Sequence, residues 1–259
     1  MHYVDPSTGQ TYPLSEARWR ADNGHYLNLA PGPGLKPRDI DTTRHSVWRY
    51  ARALLVGAEH AVSLGEGWTP LLAGTWHGAP VHYKLEFMMP TGSFKDRGMT
   101  VMVSYLKSRG VTHVLEDSSG NAGASLSAYA AAAGLPARVA IPEDTPRTVI
   151  DRCRAHGAEV ITAPGTLVDA GKKLAAYSDG FWTLATLREP YRAEGKKTMG
   201  LELAEQLDPE QWHQILDRFF QTLSEGVHRF EGTVNQYTGD GIMALFGAPI
   251  AHEDHAQRA

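Results

Sequence analysis

The segment that decides the fold is PTGSFKDRG, residues 90–98. It places Lys95 in a loop of small residues, after an apolar run at 81–85 and before a helical pattern at 96–108. The positive end of a helix dipole favours a neutral amine and attracts anions, and a covalent bond to an aldehyde requires a neutral amine. The alternative is a solvated surface charge, which is the usual role of an isolated lysine at a helix start.

A second loop of small residues, DSSGNAG at 117–123, follows the next predicted strand. Its glycine and serine residues let backbone N–H groups approach a ligand carboxylate closely. The Asn121 amide could donate to the phenolic oxygen of a pyridine ring. The alternative is a simple N-cap for the helix that begins at Ala122, because Ser, Asn and Asp favour that position. Taken alone, this loop leaves both interpretations open.

From residue 70 onward, short apolar runs alternate with helical patterns. The predicted strands are 81–85, 111–115, 137–141 and 160–162, and the predicted helices are 96–108, 122–133, 145–156 and 167–177. This alternation predicts β-α units, a largely parallel sheet, and ligands at the carboxyl ends of its strands. The preceding residues, 1–63, are rich in turn formers and predict one helix, at 44–56. We expect them to form a ribbon-like and helical lead-in.

The pattern changes near residue 208. A helix predicted at 197–207 is followed by a helix cap at Asp208 and a first-turn proline at Pro209. A second amphipathic helix is predicted up to residue 230, and the apolar runs 233–238 and 242–246 then flank an Asp-Gly pair, which is a hairpin signal. We therefore predict an α/β module at 64–208 and an α+β helix-hairpin segment at 209–259.

The composition argues for a soluble cytoplasmic protein and indicates nothing further about function. The net charge is -4, so no basic surface suggests a nucleic acid or an anionic membrane as a partner. No apolar run reaches the length of about 20 residues needed to span a membrane, and the first residues do not form a secretory signal. Because Cys153 is the only cysteine, an internal disulfide and a four-cysteine zinc site are excluded.

Five blocks in sequence resemble the threonine synthase family of fold-type-II, tryptophan synthase β-like, pyridoxal-phosphate enzymes. They are GEGWTPL at 65–71, KLE at 84–86, the lysine segment at 90–98, SSGNAG at 118–123 and EGKKTMG at 194–200. The resemblance implies a three-layer α/β fold, pyridoxal 5′-phosphate as cofactor and a possible homodimer. The implied reaction is that of a carbon–oxygen lyase, which converts O-phosphohomoserine and water to threonine and phosphate.

The resemblance also implies roles for individual residues. Lys95 would form the Schiff base with the cofactor and shuttle protons, Ser93 would lie beside the cofactor, and Asn121 would meet its ring oxygen. Residues 5–14 resemble an N-terminal ribbon in which paired cysteines hold zinc in some members; those cysteines are missing here, so we predict no zinc. The substrate carboxylate would lie near Ser118, Ser119 and Gly120.

The resemblance stops after Leu207. In the family, a strand and a glycine-rich loop that cradles the cofactor phosphate come next, and a polar residue farther on meets the pyridine nitrogen. No glycine-rich run follows Leu207 in this chain. Each charge-assisted hydrogen bond lost from such a cradle costs about 1.5–3 kcal/mol. We therefore expect the lyase activity to be impaired.

The final segment resembles class III adenylate/guanylate cyclases, most densely at NQYTGDG, residues 235–241. Asp240 stands where that family has one of two metal-binding aspartates, and the segment that carries the other is missing. We interpret Asp240 as a vestigial metal position in a structural turn and predict no bound metal. Two further hypotheses remain open, a cyclase-related signalling protein with dimer contacts in this segment and a non-catalytic chimera.

Overall fold

The computed structural model describes residues 1–32, 34–177, 182–184, 189–237 and 242–247. The chain divides into two compact units, Met1–Leu201 and Glu202–Ala259. The module boundaries expected from the sequence, after residues 63 and 208, remain predictions. Among the described residues, no helix is both long and apolar enough to cross a membrane.

The chain begins with a small antiparallel ribbon. Its strands are β1 (Tyr3–Val4), β2 (Thr11–Tyr12) and β3 (Asn28–Leu29), in the order β2-β1-β3. The buried carboxylate of Asp5 holds the turns together, since it accepts hydrogen bonds from Ser7, Thr8 and Asn23 at 2.7–2.9 Å. The helix predicted at 44–56 is a shorter 3-10 helix, Val47–Ala53, which is capped by Ser46 and buries Trp48.

The strand predicted at 81–85 belongs to an antiparallel hairpin, which corrects its expected place in the parallel sheet. Strand β4 (Leu71–Trp76) pairs with β5 (Ala79–Lys84) along their whole length. The turn between them, His77-Gly78, has positive φ at both positions, as the preferred two-residue hairpin turns require. A His-Gly pair is a weaker signal for this turn than Asn-Gly or Asp-Gly, which is why the hairpin was missed.

A four-stranded parallel sheet forms the centre of the first unit, in the order β8-β7-β6-β9. Its strands are β6 (Val114–Asp117), β7 (Ala137–Pro142), β8 (Glu159–Ala163) and β9 (Trp182–Leu184). The helices of this region are α1 (Lys95–Ser108), α2 (Asn121–Ala133), α3 (Arg147–Ala155) and α4 (Leu167–Tyr177). The predicted parallel sheet is confirmed for three strands, and β9 was missed because its apolar run is so short.

The main core joins helices α1 and α2 to the parallel sheet, the N-terminal ribbon and the 3-10 helix. Met99, Met102 and Leu106 of α1 are fully buried, as are Leu126 and Tyr129 of α2. Each such side chain contributes about 1.5–3 kcal/mol through the apolar surface it removes from water. Because α2 is rich in alanine, it packs closely on β6 and β7, and this packing fixes the loop through which β6 enters α2.

The helix predicted at 197–207 is preceded by another short helix. These elements are α5 (Tyr191–Lys196) and α6 (Thr198–Gln206), and the division between the two units falls within α6. Helix α5 packs against α1 at backbone distance, since a Cβ atom added to Gly195 would overlap the carbonyl group of Arg97. This close approach carries Lys196 to the start of α1.

The second unit contains the predicted helix and hairpin. Helix α7 (Pro209–Arg229) begins at Asp208, whose carboxylate accepts hydrogen bonds from Glu210 and Gln211 N–H at 3.0 and 2.9 Å. Strands β10 (Thr233–Tyr237) and β11 (Ile242–Leu245) pair antiparallel. Both elements are therefore confirmed, whereas Asp240 lies outside the described residues.

Candidate active site

Lys95 is the first residue of α1, and its side chain is half-buried. Its backbone N–H donates to Ser93 Oγ at 3.3 Å, and its Nζ atom lies 4.7 Å from the centroid of the Phe94 ring. Within the described ranges, no carboxylate lies at ion-pair distance from this amine. The loop therefore holds the Lys95 amine beside Phe94 without pairing it with a carboxylate of the described residues.

The buried side chain of Asp96 fixes the loop that carries Lys95. One carboxylate oxygen accepts from Thr91 N–H at 2.7 Å, and the other accepts from the hydroxyl groups of Thr91 and Ser125, both at 2.5 Å. Ser125 lies on α2, so a single carboxylate ties the lysine loop to the helix that follows the second loop. Three hydrogen bonds to a fully buried group give this connection little freedom to move.

The second loop starts directly after β6 with the buried residue Ser118. Ser118 N–H donates to Ala140 O at 3.0 Å, and its Oγ atom accepts from Gly123 N–H at 2.8 Å. Beside Gly120 there is open space, and the N–H groups of Ser119 and Asn121 have no acceptor in the part of the chain that the structure describes. Unpaired N–H groups at the start of a helix suit a carboxylate ligand.

Arg152 of α3 connects the two loops. Its Nη1 atom donates to Asn121 Oδ1 at 3.2 Å, and its Nη2 atom donates to the carbonyl oxygen of Thr91. The structure therefore brings the predicted residues Ser93, Lys95 and Asn121 into one constellation at the carboxyl end of the sheet. Ser118, Ser119 and Gly120 lie in the same loop as Asn121.

A second amine lies close to Lys95. The Nζ atom of Lys196 is 5.9 Å from the centroid of the Phe94 ring, the same ring that Lys95 contacts. Burial and, to a lesser degree, the positive charge of Lys95 lower the pKa of Lys196. Any assignment of a cofactor to Lys95 therefore has to be tested against Lys196.

A buried ionic cluster near Lys196 joins α5 to β6. Arg192 contacts Glu116 at 2.9 Å and Glu189 at 2.6 Å, and all three side chains are at most 5% exposed. Burial raises the pKa of Glu189 to about 7, and the negative charge of Glu116 adds to the effect, whereas Arg192 opposes it. Two carboxyl groups share one guanidinium group, so ionising both would leave a net negative charge in the interior, and the raised pKa of Glu189 reflects that cost.

A second buried ion pair connects three of the sequence blocks. The guanidinium group of Arg97 binds both carboxylate oxygens of Glu86, with distances of 2.7 and 2.8 Å, and also donates to Thr198 at 3.1 Å. Glu86 belongs to KLE, Arg97 to the lysine segment and Thr198 to EGKKTMG. The blocks that are far apart in sequence are therefore joined around the start of α1.

The sequence did not single out Asp96, Ser125 or Arg152 as site residues. An acidic residue in the first turn of a helix is common, and Arg152 lies within an ordinary amphipathic helix, so neither gave a signal. Among the residues that the structure describes, no three His, Cys, Asp or Glu side chains form a group that could hold a metal.

Comparison with known proteins places these residues in a family. The model of the family described as pyridoxal-phosphate dependent enzyme matches residues 62–228. This match runs past the boundary predicted at 208, and the comparisons give no support to the cyclase resemblance of the final segment, which remains a hypothesis. Members of the family use pyridoxal phosphate, so the predicted cofactor is confirmed.

Individual relatives agree with this assignment. The chain is 39% identical over 177 residues to a threonine synthase of Methanosarcina acetivorans, which covers 65% of the chain and 43% of that relative. It is 35% identical over 230 residues to a threonine synthase of Methanocaldococcus jannaschii, covering 81% of the chain and 54% of that relative. The chain thus spans about half the length of the curated relatives it matches.

A solved structure, that of maize serine racemase, superimposes with a TM-score of 0.51 and 25% identity, covering 54% of the chain and 45% of that structure. This similarity supports a fold-type-II architecture for the α/β region. Together with the family match over more than half of the residues, it shows that the chain belongs to the pyridoxal-phosphate dependent enzymes.

Proposed function

We propose that this chain is a lyase of threonine-synthase type that acts on O-phosphohomoserine. The observation that carries the proposal is the position of Lys95, an amine without a carboxylate partner in the described part of the chain, in a loop fixed by Asp96. The open space beside Gly120 and the unpaired N–H groups of Ser119 and Asn121 in the described part of the chain supply a place for the substrate carboxylate. The similarity to threonine synthases of Methanosarcina acetivorans and Methanocaldococcus jannaschii supports the substrate class.

In this proposal, the Lys95 amine holds the cofactor covalently and carries protons to and from the substrate carbon atoms. The bound cofactor supplies an electron sink for the negative charge that develops when those protons leave. Asn121 donates to the ring oxygen, and Ser93 steadies the backbone of Lys95. In the overall reaction the bond between carbon and the phosphate oxygen breaks, water adds, and phosphate leaves.

The residues fit the aldehyde and ring ends of the cofactor better than its phosphate end. After α6 the chain continues into α7 and the β10–β11 hairpin, and the described part of this segment contains no glycine-rich loop. Two lost charge-assisted hydrogen bonds cost about 3–6 kcal/mol, or several hundred-fold or more in affinity. We therefore expect weak cofactor binding and slow or undetectable threonine formation by this 259-residue chain.

Titration of the purified chain with pyridoxal phosphate tests the proposed function. An absorbance band of covalently bound cofactor should appear at high concentration in the original chain and be absent from Lys95→Ala. O-phosphohomoserine should perturb this band, whereas serine, which lacks the phosphate group, should perturb it less. Absence of a Lys95-dependent band at any cofactor concentration would contradict the proposal, and rapid release of phosphate would contradict the expected impairment.

A cyclase-related signalling role and a non-catalytic chimera are the alternatives. Cyclase chemistry needs two metal ions held by carboxylates from two strands, and Asp240 is the single candidate that the sequence offered. Formation of cyclic nucleotide that disappears in Asp240→Ala would favour the first alternative. A folded chain that binds neither pyridoxal phosphate nor nucleotide would favour the second.

A further inference from the structure

The hydrogen bond from Arg152 to Asn121 determines which way the Asn121 amide is oriented. The guanidinium group is a donor only, so it can bind the amide of Asn121 only through the oxygen atom, Oδ1. The oxygen and nitrogen atoms of a side-chain amide lie in one plane, on opposite sides of the Cβ–Cγ bond axis. With Oδ1 held by Arg152, the two N–H donors of the amide are directed away from α3.

A second hydrogen bond fixes Arg152 itself. Its other terminal nitrogen donates to the carbonyl oxygen of Thr91, four residues before Lys95. The planar guanidinium group thus spans both loops, and its fork geometry sets the distance between Thr91 and Asn121. Arg152 is an exposed residue, so a role confined to core packing does not explain these two contacts.

We propose that Arg152 is a positioning residue that orients the Asn121 amide, so that its N–H donors face the ring oxygen of the cofactor held by Lys95. This inference rests on the proposed function, because it assumes that the ring lies between the two loops. Without Arg152 the amide can rotate and present its oxygen atom, which repels the ring oxygen instead of binding it. Arg152 does not itself need to touch the cofactor.

Arg154, an exposed arginine on the same helix, provides a matched control. In the described part of the chain it has no hydrogen bond to either loop, so Arg154→Met removes the same charge from α3 without breaking the bridge. Arg152→Lys offers an intermediate case, since an ammonium group keeps the charge but lacks the planar fork that binds two acceptors.

The main experiment compares the bound-cofactor absorbance band and the apparent dissociation constant of pyridoxal phosphate among these variants. Arg152→Met should shift the band in the same direction as Asn121→Ala and raise the dissociation constant roughly 3- to 10-fold, the value of about one hydrogen bond. Arg154→Met should match the original chain. In the Asn121→Ala background, Arg152→Met should add no further shift, because the residue it positions is gone.

A second measurement needs no cofactor. The side-chain amide signals of Asn121 in a ¹H–¹⁵N spectrum, identified by their loss in Asn121→Ala, should move in Arg152→Met and stay in place in Arg154→Met. The inference would be overturned if Arg152→Met left the cofactor band unchanged. It would also be overturned if Arg152→Met shifted the band equally in the original chain and in the Asn121→Ala background, even if the amide signals move. Absence of any Lys95-dependent band would overturn the proposed function, and the positioning role with it.

Discussion

Helices α1 and α7 are both predicted from the sequence, yet their side chains differ in burial. In α1, residues 96–106 are all buried, including the polar residues Asp96, Arg97 and Thr100. In α7, none of the 21 residues is buried, although its apolar side chains recur at helical spacing. Charged groups that are buried and paired hold a precise geometry, whereas exposed ones do not.

This difference explains why the chemistry is assigned to the first unit. A site requires side chains whose positions are fixed by neighbours from several elements. The first turn of α1 meets this requirement, because Asp96 binds Ser125 of α2 and Arg97 binds Glu86. Helix α7 is stabilised locally, by the Asp208 cap and by contacts with the β10–β11 hairpin that follows it. Substitutions at comparable positions in the two helices should therefore have unequal effects.

The largest difference is expected between two aspartates. Asp96→Ala leaves one N–H and two hydroxyl groups buried without their acceptor and should lower the free energy of unfolding by about 4–5 kcal/mol. Asp217→Ala, on the exposed surface of α7, should change it by less than about 0.5 kcal/mol. Urea unfolding followed by tryptophan fluorescence measures both values.

Asp96→Asn sharpens this test, because the amide keeps the shape of the side chain. The hydroxyl groups of Thr91 and Ser125 can rotate to accept from the new N–H₂ group, so a smaller loss is expected than for Asp96→Ala. Equal losses for the two substitutions would show that the hydrogen-bond arrangement around Asp96 is not what stabilises the loop.

A smaller difference is expected between apolar side chains. Met99 is fully buried in α1, so Met99→Ala should cost about 3 kcal/mol through lost contacts and the cavity left behind. Phe219 on α7 is 43% exposed, and Phe219→Ala should cost less than about 1 kcal/mol. A larger effect of Phe219→Ala than of Met99→Ala would mean that α7 is covered by another surface in solution.

The smallest of these effects depends on pH and belongs to Glu189. Burial raises the pKa of this carboxyl group to about 7 from an ordinary value of 4.5. An acid with a raised pKa in the folded state stabilises the fold below its unfolded pKa, and this contribution is lost as the pH rises through about 7. Between about pH 5 and about pH 8, the original chain should lose roughly 2 kcal/mol relative to Glu189→Gln, which cannot ionise.

Thermal unfolding at a series of pH values measures this gap between the original chain and Glu189→Gln. Glu159→Gln serves as the control because its side chain is 57% exposed, and it should follow the original chain at each pH. A stability difference that stays constant with pH would contradict the raised pKa. A gain in stability of the original chain relative to Glu189→Gln as the pH rises would mean that folding lowers the pKa of Glu189 instead.

The sequence predicted the regular elements of the α/β module well and its polar interior poorly. Helix α4 was predicted with its observed bounds, and α1 with a start one residue late, because apolar periodicity and small-residue loops define such elements locally. Lys95 and Asn121 were proposed as site residues from the loops that hold them, and their roles remain predictions. The positions of Asp96, Ser125 and Arg152 depend on contacts between residues 29 to 61 positions apart in the chain, which no local pattern reports.

The β4–β5 hairpin is a second feature that the local sequence pattern did not predict. Residues 81–85 have the apolar character of a strand, but the choice between parallel and antiparallel partners lay in the two turn residues, His77 and Gly78. Similarly, the split between α5 and α6 follows from the approach of Gly195 to Arg97, which is a tertiary contact.

The most direct test of the account is to find which lysine carries the cofactor. The chain is incubated with pyridoxal phosphate, reduced with borohydride, digested and mapped by mass spectrometry. The account predicts a label on Lys95 that is lost in Lys95→Ala while the folded structure is kept, because a half-buried lysine contributes little packing. A principal label on Lys196, the second amine beside Phe94, with Lys95 unmodified would contradict it.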